Sequence, residues 1–112
     1  MNIYSLTAVQ YIEHARAHGV NEEAKGSVDQ MSEQSAPLFG ELRKQISNAL
    51  VWLVEREKHK DESSARNMHI AVGRLQGAYS MIEVHAKASG TRIPQVLAEQ
   101  FDFIVMRYDT LI

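Results

Sequence analysis

The sequence predicts an all-α fold: a helical hairpin of two long antiparallel helices, with a short N-terminal helix and a C-terminal helix packed on it. Three observations predict it. Apolar residues recur at helical spacing and not in the alternation of a half-buried strand. Proline and glycine, two and six residues respectively, punctuate the chain at few places. Ala65, Met68, Val72, Leu75, Tyr79, Ile82 and Ala86 follow alternating steps of three and four, the seam of one helix packed along another.

The first helix is expected over residues 5–18. Thr7 with Gln10 three positions later matches a capping box, Leu6, Val9, Tyr11 and Ile12 supply the apolar side, and Gly19 is a natural stop. Residues 20–35 turn polar, offer only Val28 and Met31 for burial, and read as a connector or a weak helix. A second helix is expected from Ser35, a serine cap followed closely by Pro37, with Leu38, Leu42, Ile46, Ala49, Leu53 and Val54 along one face. The mixed-charge run from Glu55 to Glu62 has nothing to bury, so the chain is expected to reverse there. The seam helix follows and ends at Ser89-Gly90. Thr91 and Pro94 open a last helix whose apolar side carries Val96, Leu97, Phe101, Ile104, Val105, Tyr108 and Leu111.

Residues 1–112 are therefore read as one helical domain containing a polar connector at 20–35. Twelve basic and fourteen acidic side chains give a formal charge of −2, which provides no broad field for a long nucleic acid. The absence of cysteine excludes disulfides, thiolate metal sites and cysteine nucleophiles. The longest apolar run, Ala49 to Val54, is too short to span a bilayer, and the N-terminus lacks the blocks of a signal peptide. No membrane partner and a cytoplasmic location are expected.

Candidate chemistry is sparse. His14 and His18 stand four apart, the spacing at which two imidazoles can share a metal ion, but no carboxylate completes a zinc motif and the pair reads as solvated. Glu55 and His59 have the spacing of an acid-base couple inside a solvated charge run. Ser63 and Ser64 sit where serine caps a helix, and no phosphate loop or cofactor fingerprint occurs. No catalytic residue, metal or cofactor is expected.

Gly73 and Gly77, in the interior of the seam helix, each cost about 1 kcal/mol against alanine. With Ala71 and Ala78 they predict a smooth flank, read first as a tight helix crossing within the fold and otherwise as an oligomer contact or ligand surface. Ile70, Met81 and Val84 lie off the seam, and Phe103 and Met106 widen the last helix, so surplus apolar surface predicts a homo-oligomer. Among the basic residues near the turn, Arg56, Lys58 and Lys60 have acidic neighbours. Arg66 and Arg74, eight apart on one helix, are suited to phosphate groups held at an oligomer seam. Trp52 is read as partly buried core, with base stacking as the alternative.

The segment Arg66-Asn67-Met68-His69-Ile70-Ala71-Val72-Gly73-Arg74-Leu75-Gln76-Gly77-Ala78 resembles the second hairpin helix of phage anti-CBASS and anti-Thoeris sponges, small proteins that sequester cyclic oligonucleotide immune signals. The long charged run before it and the extra helix after it depart from that family. The resemblance implies a phage counter-defence protein: a helical oligomer binding cyclic oligonucleotides between subunits without cleaving them, with Arg66 and Arg74 as the positions to suspect; the smooth flank adds Gly73 and Gly77 as candidate ligand-binding residues. The expected function is thus non-catalytic association or sequestration. The alternative is a structural or chaperone-type adaptor docking its apolar helix faces onto a larger protein assembly.

Overall fold

The computed structural model describes residues 2–112. After a short 3-10 turn at Ile3–Ser5 come five helices: α1 (Ala8–Ala17), α2 (Val20–Asp29), α3 (Ala36–Lys58), α4 (Glu62–Ser89) and α5 (Gln95–Leu111). There is no strand among the described residues. The three residues between α3 and α4 reverse the chain, and Ser35 at the start of α3 bonds to His85 near the end of α4, so the two long helices are antiparallel. At about 1.5 Å per residue, α4 with its 28 residues accounts for the 42 Å long dimension of the molecule.

α3 is the central element and packs against each of the other four helices, whereas α4 packs mainly on α3 and α5. The core joins Phe39, Leu42, Ile46, Ala49 and Leu53 of α3 to Met68, Val72, Leu75 and Ile82 of α4. Val96, Leu97, Phe103 and Ile104 of α5 close it, and Tyr11 stacks on Phe103 with ring centroids 3.9 Å apart. Full burial of each large aliphatic or aromatic side chain contributes about 1.5–3 kcal/mol before the entropy of ordering is subtracted.

The Thr7–Gln10 capping box forms as its sequence predicts, with both reciprocal bonds present. Gly19 and Gly90 take left-handed conformations, φ 65° and 70°, where a Cβ would be strained. Trp52 is partly buried against the core.

Several elements differ from the sequence reading. Of the two readings of residues 20–35, a connector or a weak helix, residues 20–29 take the helix, α2, because Ala24 and Val28 are one helical turn apart and both reach the core, while Glu22 and Glu23 complement the positive end of the helix dipole. On α3 the inward position belongs to Phe39, which leaves Leu38 exposed. On α1 it belongs to Ala8 and Ala15, which leaves Val9 exposed. Phe103, read as surplus apolar surface, is fully buried.

Two caps also differ. The Ser35 hydroxyl makes no cap bond, since it is turned to His85. At α4 the cap is Asp61, whose carboxylate accepts the Ser64 backbone N–H at 2.7 Å, while the Ser64 hydroxyl donates to the His59 carbonyl. That Ser64 bond holds the Asp61 carboxyl below its ordinary pKa. The charged run is not wholly solvated either. Glu57 accepts the Ala8 N–H with both carboxylate oxygens and pairs with Arg107, so one mostly buried carboxylate ties α1, α3 and α5 together.

Candidate binding surface

α4 has two apolar faces. The inner one is the predicted seam, with Met68, Val72, Leu75 and Ile82 in the core. Steps of three and four from Ile70 through Gly73, Gly77, Met81 and Val84 trace a second stripe, offset around the helix and facing solvent. Its large members are well exposed: Ile70 at 45%, Met81 at 73% and Val84 at 70%.

Gly73 and Gly77 lie within this outer stripe, and a Cβ placed on either would meet nothing within 4 Å. A tight crossing inside the fold, the first explanation of the pair, is therefore ruled out for this chain. Nor do Ala71 and Ala78 extend the glycine flank: Ala71 is buried in the core side and Ala78 is half-buried. The helix carries two costly glycines where the protomer itself gains nothing from them.

Arg66 and Arg74 are exposed on the same helix, about 12 Å apart along its axis, and neither forms an ion pair among the described residues. The other cations near the turn are differently placed. Arg56 donates to the Asp61 carbonyl at 3.0 Å, and Lys58 and Lys60 are exposed among acids. The structure thus brings the four sequence-predicted site residues, Arg66, Arg74, Gly73 and Gly77, onto the solvent side of one helix.

Beside the stripe, a groove of about 210 Å³ between α3 and α4 is lined by Leu38, Glu41, Ala78, Met81, Ile82 and His85. At its side the Ser35 hydroxyl and His85 Nε2 are 3.0 Å apart, and the imidazole meets the Phe39 ring edge-on. A serine–histidine contact is one leg of a nucleophilic pair, but Ser35 is buried and no carboxylate bonds or pairs with His85 among the described residues. Its evident role is to tie the start of α3 to the end of α4. The wider apolar surface continues across this groove through Met81.

The remaining candidates are dispersed. The rings of His14 and His18 stack at 4.2 Å, and His18 Nδ1 lies 2.9 Å from the His14 carbonyl. Glu55 and His59 approach to 3.7 Å at an open helix end. His69 bonds the Tyr108 hydroxyl, joining α4 to α5. Among the described residues no group of three or more histidine, cysteine or carboxylate side chains converges as a metal site, and no helix is long and apolar enough to cross a membrane.

Sequence reasoning missed one feature. A pocket between α1, α2, α3 and α5 places Asn21, Ser47 and Gln100 together, residues that no short motif links and that only the packing of four helices brings close. Comparison with known families, with curated proteins and with solved structures gives no match for this chain.

Proposed function

We propose that the protein is a non-catalytic binding protein that works by association, and that the outer face of α4 is the surface on which a second copy docks. The observation that carries this reading is the exposed placement of Gly73 and Gly77 between Ile70, Met81 and Val84. Glycine in a helix interior is disfavoured, and the customary compensation is the close approach of another helix. An antiparallel self-pairing about Gly77 sets that glycine against its own copy, Met81 over the partner's Gly73 and Ile70 against the partner's Val84, which lets the two backbones approach closely at the centre. Such a pairing is isologous and closes at two copies.

The ligand class that suits this seam is phosphate-rich. Arg66 and Arg74, free of internal ion pairs, would contribute from both copies, and guanidinium groups hold phosphate oxygens through paired N–H donors. A cyclic oligonucleotide held intact between protomers fits that chemistry and the local sequence resemblance.

Because the chain has no cysteine, a single introduced thiol reports the pairing cleanly. Under mild oxidation Gly77→Cys should form a disulfide-linked dimer, while Lys25→Cys, on an exposed stretch of α2, should not. Equal cross-linking of the two would remove the self-association reading. Separately, cyclic di- and trinucleotides should raise the melting temperature, and Arg66→Ala or Arg74→Ala should reduce that rise more than Lys58→Ala. A panel in which no cyclic nucleotide shifts the curve would remove the ligand.

A further inference from the structure

Gln100, on α5, is only 4% exposed, yet its side-chain amide makes no hydrogen bond with any described residue. No sealed, partnerless polar atom exists among the described residues, so the amide must reach solvent, and it does so in the pocket that it lines. The amide's donor and acceptor are thus open to a ligand or to water in that pocket.

The pocket measures about 170 Å³. Ile12, Leu50 and Val51 form apolar walls, Asn21 and Ser47 add a second amide and a hydroxyl, and no charged side chain lines it. A cavity of roughly 150 Å³ accommodates a single six-membered ring. The occupant that this lining fits is therefore one flat, uncharged ring that both donates and accepts hydrogen bonds, because a side-chain amide carries a donor and an acceptor side by side that such a ring edge can match.

Charge begins just outside. Ser47 also borders a shallow open surface lined by Gly40, Arg43 and Lys44, and Arg43 is held at the rim by its bond to the Asn21 carbonyl. An uncharged one-ring head beside two cations matches a pyrimidine nucleotide, with the base against Gln100 and the phosphate toward Arg43 and Lys44. We propose that this pocket is a pyrimidine-nucleotide site. α4 contributes nothing to it, so it is separate from the pairing face and does not depend on that reading.

The test uses the full chain labelled with ¹⁵N and uridine 5′-monophosphate as probe, followed by NMR and calorimetry. Binding should shift the Gln100 side-chain amide resonances. Gln100→Leu should weaken affinity at least tenfold, and Lys44→Glu should weaken it severalfold. Ser47→Trp, at an exposed position of α3, blocks the entrance without entering the core and serves should Gln100→Leu fail to fold. Uridine, adenosine 5′-monophosphate and inorganic phosphate should each bind more weakly than the probe. The proposal is overturned if the probe leaves Gln100 unmoved, if Gln100→Leu or Ser47→Trp binds it as the wild type does, or if any of the three comparison compounds matches it.

Discussion

The inner and outer faces of α4 are built on the same rule and meet different fates. Met68, Val72, Leu75 and Ile82 on one side, and Ile70, Gly73, Gly77, Met81 and Val84 on the other, both advance by threes and fours. The first set is covered by α3 and α5; the second is left largely exposed, with only Met81 bordering the groove beside α3. Periodicity says that a face is suited to burial but does not say what buries it. The composition of the faces does differ. The inner one is filled by large side chains at nearly every step, and the outer one sets two successive glycines between bulky residues, a profile suited to a close helix approach.

The largest expected effect separates the two faces directly. Leu75→Asp puts an unpaired charge into the core and should cost about 3–5 kcal/mol, enough to unfold much of the protein. Met81→Asp, on the outer stripe, should leave protomer stability within about 0.5 kcal/mol while reducing self-association. Urea denaturation with detection by circular dichroism reads both, and comparable losses would mean that the outer stripe is covered after all.

A smaller effect tests whether the interior's polar ties matter. Glu57→Ala removes the acceptor for the Ala8 N–H and the partner of the mostly buried Arg107, and should cost about 1–3 kcal/mol in the same experiment. A loss below a few tenths would show that α1 is held by packing alone.

Alkaline titration probes the sealing of the inner side. Burial, reinforced by Glu99 and Tyr4, pushes the Tyr11 phenol up to about 12, and burial with Glu83 and Asp102 raises that of Tyr79, which stacks on Phe101. The unfolded chain ionises Tyr11 near pH 10 while the folded chain keeps the proton to about 12, so the contribution is intact below pH 10 and falls across pH 10–12. Ultraviolet titration should show phenolate appearing late for these two residues, and simultaneous ionisation of all tyrosines near pH 10 would contradict their burial.

The smallest effect sharpens the glycine argument. In dilute protein, Gly73→Ala and Gly77→Ala should each stabilise the protomer by up to about 1 kcal/mol, because a Cβ at either position meets open space. Destabilisation of the protomer would mean that something presses on that face.

Much of this architecture was legible in the sequence. Local rules identified the Thr7–Gln10 box, the stops at Gly19 and Gly90, and the Ala65-to-Ala86 seam, of which Ala65 and Tyr79 are only partly buried, because each depends on residues within a turn or two. What escaped was decided by tertiary packing. One exception is Phe39: it, and not Leu38, continues the three-and-four spacing of Leu42, Ile46, Ala49 and Leu53, so the local rule already selected it for the core. Glu57 sits in a run that looks wholly solvated, and its burial depends on Arg107 fifty residues away. For the candidate site, the sequence picked out Gly73, Gly77, Arg66 and Arg74, and their common exposure became visible once the core side of α4 was known. The Gln100 pocket had no signature, since Tyr11, Asn21, Ser47 and Gln100 come from four different helices.

The most direct measurement is the solution mass of the wild-type chain and of Gly77→Glu, by light scattering or native mass spectrometry at tens of micromolar. The wild type should have the mass of two chains, and Gly77→Glu the mass of one with its helical circular-dichroism spectrum unchanged. A wild type that remains a single chain at that concentration, or a Gly77→Glu variant that still pairs, would contradict the assignment of the outer α4 face as the surface through which this protein works.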